Sequence, residues 1–156
     1  MSVVTFGAGA QVKNPGFQLA LQMMLSKKTP TISVADAAAK ANKFVFLDAR
    51  EPAEFEVSHI KNARYVGDKV FNVNSLASIA KSTPLVVYCS VGKRSENATL
   101  ALKKAGFTNI KNLYGGIFEW VNTGNKVYNM QNQPTDSVHV YSKFWGRWLD
   151  KGEKIY

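Results

Sequence analysis

One segment, PLVVYCSVGKRSENATLAL, places a nucleophile where backbone could activate it. An apolar run of strand length ends at Cys89, the single cysteine of the chain, and the residues that follow, Ser90, Val91, Gly92, Lys93, Arg94 and Ser95, turn into a helix. Open parallel sheets place their sites at the carboxyl ends of their strands. The thiolate is the attacking form of cysteine, and a free thiol with pKa of about 8.5 is only slightly ionised at neutral pH. A helix start supplies the remedy, because its unpaired amides and the positive end of its dipole favour negative charge. The amides of Ser90 to Ser95 are placed to do this for the Cys89 sulfur. Gly92 lets the backbone curl so that successive N–H groups point inward, and Lys93 and Arg94 add fixed positive charge. The expected result is a thiolate ringed by donors that also suit an oxyanion, the arrangement of covalent nucleophilic catalysis.

A lone cysteine at the end of a core strand is most often a small inert hydrophobe. That reading leaves the glycine turn, the two cations and the immediate helix start without a purpose. A metal role is not indicated either, since His59 and His139 lie far apart in sequence and no zinc-like spacing joins them to Cys89. No cofactor is called for.

The positioning elements follow from periodicity. FVFLDAR and PLVVYC are continuous apolar runs of strand length, the pattern of parallel strands buried on both faces. Ile32 with Val34, Tyr65 to Gly67, and NIKNLYGG read as further short strands. Between them, helices are expected over DAAAKANK behind a Ser33–Asp36 capping arrangement, from Glu51–Pro52, over NSLASIAK opened by Asn74, over SENATLALKKAG stopped by Gly106, and over IFEWVNTG. Alternating strands and helices define an α/β sandwich, a mainly parallel sheet with helices on both faces. Ahead of it, Phe17, Leu21, Met24 and Leu25 share a helical face after the Asn14–Pro15–Gly16 turn. After it, QNQPTDS reads as a linker, and Tyr141, Phe144, Trp145 and Trp148 recur at helical spacing, either as a terminal helix packed on the domain or as an exposed partner-binding face. The expected organisation is an N-terminal extension with a docked helix over 1–30, the domain over 31–128, and a linker and aromatic tail packed on the domain over 129–156.

The chain of 156 residues is long enough for one sizeable core, and its 46% hydrophobic and 20% charged content is ordinary for a globular domain. No apolar run approaches the roughly 18 residues of a membrane helix. VVTFGAGA near the start lacks a preceding cation and is read as mature chain, so the cytoplasm is the expected compartment, with the periplasm reserved for the case that a secretory signal preceded Met1. The single cysteine implies no disulfide scaffold. A formal charge of +9 raises anions as partners, but no run of Lys and Arg exceeds two residues and RNA-binding aromatic signatures are missing. A small anionic partner is expected and nucleic acid is not.

Three separated motifs stand in order: D-x-R-x-x-x-E-F ending in His59–Ile60, then C-S-V-G-K-R-S, then L-Y-G-G-x-x-x-W. In this the chain resembles the single-domain rhodanese (sulfurtransferase) family over residues 31–128. The resemblance implies a rhodanese-like three-layer sandwich. It also implies that Cys89 attacks the outer sulfur of a donor such as thiosulfate or a persulfide, becomes a persulfide, and passes the sulfur to a thiol or to cyanide. On the same basis Ser90 to Arg94 hold the persulfide, with Lys93 and Arg94 tuning affinity for an anionic donor. Asp48 and Arg50 form a brace behind the loop, while Glu54 and His59 are structural; His59 as a general base is the less economical reading, because the chemistry starts from a thiolate. Trp120 is expected in the core, or else at the pocket mouth.

The loop Cys89–Arg94 is C-x4-R, one residue shorter than in the related dual-specificity phosphatases and arsenate reductases, which ranks those activities below sulfur transfer. Ser90 stands where many family members carry Arg, implying that thiosulfate is a poorer donor than a persulfide, and Ser58 replaces the family's usual Gly before the His-Ile pair. The alternative from another class is a sulfur-carrier or interaction module whose protein partner docks on the aromatic tail.

Overall fold

The computed structural model describes residues 11–69 and 71–156. VVTFGAGA therefore lies outside the described residues. The central sheet is built from β1 (Thr31–Ile32), β2 (Val45–Asp48), β3 (Arg64–Tyr65), β4 (Leu85–Tyr88) and β5 (Ile110–Leu113) in the order β1-β5-β4-β2-β3. Every pairing within it is parallel, with Asp48 opposite Tyr88 and Val87 opposite Asn112. The middle strand β4 is buried along its whole length, which is why it reads as an unbroken apolar run.

Side-chain alternation along the strands sorts the core into two layers. Phe46, Val86, Tyr88 and Leu113 face one side, where α1 (Pro15–Met24), α2 (Val34–Ala39) and α5 (Gly116–Asn122) contribute Phe17, Leu21, Ala37, Ile117 and Phe118. Leu47, Leu85, Val87 and Ile110 face the other, against Ala98 and Leu102 of α4 (Lys93–Lys104). Each fully buried side chain of this kind is worth about 1.5–3 kcal/mol. The same alternation carries Cys89 to the side of α4, the helix whose first turn follows it. The molecule is thus an α/β three-layer sandwich, as its sequence pattern predicts.

Several elements are shorter than their sequence suggests. In place of a helix over NSLASIAK there is only a 3-10 turn, Val73–Leu76, in which Ser75 Oγ bonds back to the Asn72 carbonyl at 2.8 Å and competes with helical pairing. DAAAKANK is divided between α2, which begins at Val34 behind the Ser33 cap, and a 3-10 turn, Ala41–Lys43. The strand expected from Tyr65 to Gly67 is instead Arg64–Tyr65, with Gly67 at φ 87° beyond its end. The helix at Glu51–Pro52, α3 (Pro52–Val57), carries a reciprocal capping box between Glu51 and Glu54.

The last quarter of the chain is not a linker and helix. Within QNQPTDS, β7 (Pro134–Thr135) pairs antiparallel with β6 (Val127–Tyr128), and β8 (Ser137–His139) pairs in parallel with β9 (Glu153–Ile155). Only Lys143–Gly146 is helical, as α6, because Tyr141 sits at φ 70° and Ser142 starts the turn afresh by capping Trp145 N–H. Val138, Val140 and Leu149 are buried, and Trp148 stacks on Phe17 at 5.4 Å. Asn122 fastens this segment, donating to the Trp148 carbonyl and accepting from the Asp150 and Lys151 amides.

Candidate active site

Cys89 leaves the end of β4 and is almost fully buried. Its sulfur nevertheless has polar company: Gly92 N–H lies 3.2 Å from Sγ and Ser95 Oγ 3.3 Å. Gly92 adopts φ 118°, a backbone that an L side chain rarely takes, and this turn aims its amide back at the sulfur. Among the described residues, the amides of Ser90, Val91, Lys93, Arg94 and Ser95 have no protein acceptor. They are the orphan donors of a helix start, left unpaired in the loop that follows the sulfur.

The opposite edges of the same peptides are tied down. Ile117 N–H donates to the Cys89 carbonyl at 3.0 Å and Phe118 N–H to the Ser90 carbonyl at 3.1 Å. Both donors belong to the first turn of α5, so the Gly115–Gly116 motif anchors the carbonyls of the loop. Gly116 allows the approach: a Cβ there would lie 2.5 Å from both the Cys89 and Ser90 carbonyl oxygens. With the carbonyls held by α5, the N–H groups of the same trans peptides point the opposite way.

Beneath the loop, Asn112 of β5 donates Nδ2–H to the Gly92 carbonyl at 2.9 Å, which turns its Oδ1 toward Ser95 Oγ, 2.6 Å away. A hydroxyl carries one proton, so Ser95 donates either to Asn112 or to Sγ. Asn112 belongs to none of the sequence motifs; its one signal is a polar residue alternating with Ile110 at an inward strand position.

The two cations of the loop are neutralised. Arg94 makes a two-pronged pair with Glu54, 2.7 Å at each prong, and also donates to Ser90 Oγ at 2.8 Å. Burial works against the charge of Arg94, but Glu54 and the Cys89 sulfur more than offset it and hold the guanidinium above its ordinary pKa. Burial likewise pushes the Glu54 carboxyl up, yet the Arg94 bonds and charge prevail and keep it below the ordinary carboxylate range. Lys93 Nζ sits 3.5 Å from Glu96, whose other oxygen accepts from Ser26 N–H and Oγ. The fixed positive charge that Lys93 and Arg94 bring to the loop is thus paired with carboxylates, and Glu54 is drawn into the site through Ser90 and Arg94.

Asp48 and Arg50 form a fully buried pair at 2.7 Å, and Arg50 also donates to the Ser58 carbonyl at 2.6 Å, bracing β2 against α3. His59 bonds the Phe55 carbonyl through Nδ1, stacks on the Phe55 ring and bridges to Tyr128, so its partners lie away from Cys89. Trp120 packs edge-on against Phe46 and lines a separate cleft with Phe44 and Tyr128. The cavity that reaches Cys89, about 200 Å³, is instead lined by Tyr141 and Trp145 together with Ser90, Val91, Lys93 and Arg94. Those two aromatics stand at the site by virtue of the tail's path, which spacing alone did not reveal. Among the described residues, no group of three or more His, Cys, Asp or Glu is gathered to hold a metal, and no helix is long and apolar enough to cross a membrane.

A parallel α/β sandwich with a cysteine loop at the carboxyl end of its central strand is the frame of the rhodanese fold. The family description Rhodanese-like domain matches residues 31–123, and the chain belongs to that family. It is 37% identical over 79 residues to the "Probable adenylyltransferase/sulfurtransferase MoeZ" of Mycobacterium tuberculosis, which covers 50% of this chain and 20% of that protein. Among solved structures, a rhodanese-related protein from Thermoplasma volcanium aligns with TM-score 0.53 and 27% identity, covering 63% of this chain and 96% of that one. The thiosulfate sulfurtransferase of Pseudomonas aeruginosa aligns with TM-score 0.62 at 19% identity over 86% of this chain and 26% of its own length, a likeness of fold.

Proposed function

We propose that this protein is a sulfurtransferase in which Cys89 carries a sulfane sulfur between donor and acceptor. The observation that carries the reading is the convergence of Gly92 N–H and Ser95 Oγ on Sγ, amid further unpaired amides, at the base of a cavity. The Cys89 thiolate attacks the outer sulfur of a persulfide R–S–SH, forming Cys89–S–SH and releasing R–S⁻. The amides that favour the attacking anion then favour the terminal persulfide sulfur. An acceptor thiolate or cyanide attacks that sulfur and restores the Cys89 thiolate, cyanide leaving as thiocyanate. The sulfurtransferase named among the relatives supports this reading, although the chain spans only 20% of that protein.

Phosphoryl or arsenate chemistry is less well served. A tetrahedral dianion would call on the fork of Arg94, and both prongs are engaged by Glu54. The test is turnover: thiocyanate formed from cyanide and a persulfide donor by the wild type and by Cys89→Ser. We expect turnover only with Cys89 present, and no turnover of aryl phosphate. Equal thiocyanate production by both proteins, or none with any donor, overturns the reading.

A further inference from the structure

Any donor that presents its outer sulfur to Cys89 must keep the rest of its body in the cavity above the loop. The far wall of that cavity is aromatic, formed by Tyr141 and Trp145. Tyr141 is held there at φ 70° by a bond from its N–H to His139 Nδ1 and by the Arg94 guanidinium over its ring at 5.0 Å. Trp145 packs edge-on against Phe144 at 5.2 Å and also touches the core, so the wall is braced from behind. The cavity volume of about 200 Å³ exceeds the apolar cavity of about 150 Å³ known to hold benzene.

Charge points the same way. Lys93 and Arg94 stand at the mouth, but Glu54, Glu96 and Asp68 are paired with them, the last at 3.8 Å from Arg94. The cradle amides suit one anionic sulfur. Beyond them, no cation among the loop residues is uncompensated, and a second negative charge on the donor would lie against aromatic rings. The overall charge of +9 attracts a dianion more than a monoanion, but that long-range pull is screened by salt and acts on approach rather than on the fit inside the cavity.

Resting on the sulfurtransferase reading, we infer that Tyr141 and Trp145 make the site selective for organic sulfur donors with an apolar body the size of an aromatic ring and at most one negative charge, over the compact thiosulfate dianion. The transfer balances for such a donor: Cys89–S⁻ attacks the outer sulfur of R–SO2–S⁻, the S–S bond of Cys89–S–S⁻ forms, and the donor's S–S bond breaks with release of the sulfinate R–SO2⁻.

The experiment compares benzenethiosulfonate, methanethiosulfonate and thiosulfate as donors with cyanide as acceptor. Each kcat/KM is divided by the rate of the same donor with a small free thiolate, which removes intrinsic reactivity. The normalised wild-type preference for benzene- over methanethiosulfonate is expected to be on the order of tenfold or more, as for a filled apolar pocket, with thiosulfate last. Tyr141→Asn keeps a residue tolerant of positive φ while removing the ring, and Trp145→Leu trims the other wall. In either variant the benzene-to-methane ratio should fall toward one; if Trp145→Leu does not fold, Tyr141→Asn alone decides. Comparable normalised rates for all three donors, or a ratio unchanged in a folded Tyr141→Asn, overturns the selectivity and leaves sulfur transfer standing. Failure of every donor to yield thiocyanate overturns sulfur transfer itself, and the selectivity with it.

Discussion

Gly116→Ala tests how the loop is made to face its sulfur. The added Cβ would meet the Cys89 and Ser90 carbonyl oxygens at 2.5 Å, where real Cβ contacts stay beyond 3.0 Å, so loop and helix must part by at least about half an ångström. Parting weakens the bonds from Ile117 and Phe118 to those carbonyls. Two hydrogen bonds at about 0.5–1.5 kcal/mol each, plus roughly 1–2 kcal/mol for alanine at φ 59°, give a loss of about 2–5 kcal/mol. At about 2–4 °C per kcal/mol, Tm should fall by roughly 4–20 °C. The cradle amides swing with their carbonyls, and misplacements approaching 1 Å can cost about a hundredfold in rate, so persulfide formation should slow roughly 10- to 100-fold. Gly124→Ala is the control, since Gly124 also has positive φ, at 91°, but a Cβ there meets nothing within 4 Å. Thermal melts and stopped-flow persulfidation of the folded variants supply the readouts. If Gly116→Ala loses no more stability and no more rate than Gly124→Ala, the anchoring role assigned to α5 is wrong.

Replacing Ser95 by Ala strips the sulfur of its hydroxyl and leaves Asn112 Oδ1 buried without its donor, at a cost of about 1–3 kcal/mol measurable by urea unfolding, with slower persulfidation. Unchanged stability and rate would remove the hydroxyl from the account. Glu54→Gln leaves the Arg94 charge without its main partner; because Arg94 stays 21% exposed, we expect about 2–3 kcal/mol, the low end for a broken buried pair or just below it. The pH dependence has a definite sign. The unfolded chain holds the Glu54 proton more readily than the folded one, so the pair's contribution is present above the unfolded value of about 4.3 and is lost as pH falls through the lower folded value. Unfolding curves of Glu54→Gln should therefore converge on wild type in acid, and a gap that persists there contradicts the assignment. Truncation after Thr135 removes buried Val138, Val140 and Leu149, worth about 1.5–3 kcal/mol each, a sum comparable with the roughly 5–15 kcal/mol that stabilises a whole domain. Circular dichroism of the truncated chain should show loss of the cooperative transition, and a native-like melt would show the tail to be dispensable.

The central strands were legible because burial on both faces leaves unbroken apolar runs, and the cysteine loop because Gly92 and the helix start follow Cys89 directly. What escaped the sequence depends on tertiary partners. The fork of Arg94 reads as positive charge until Glu54, forty residues earlier, is seen to hold it. Asn112 resembles an ordinary strand residue until Ser95 and Gly92 flank it. The aromatic tail has helical spacing, but Tyr141 at φ 70° breaks the helix before it starts and turns ring and indole toward Cys89. No local propensity encodes that bend. From 73 to 81, Leu76 and Ile79 satisfy a helical pattern and a 3-10 turn equally well, so spacing does not choose between them.

Sulfur transfer by this protein requires that the sulfur of residue 89, gripped by Gly92 and Ser95, take up a second sulfur atom and give it back. Intact-protein mass spectrometry after treatment with an organic persulfide reads this directly. A gain of one sulfur atom is expected on the wild type, localised to Cys89, absent from Cys89→Ser, and erased by cyanide. No gain in the wild type, or a gain that survives in Cys89→Ser, would contradict it.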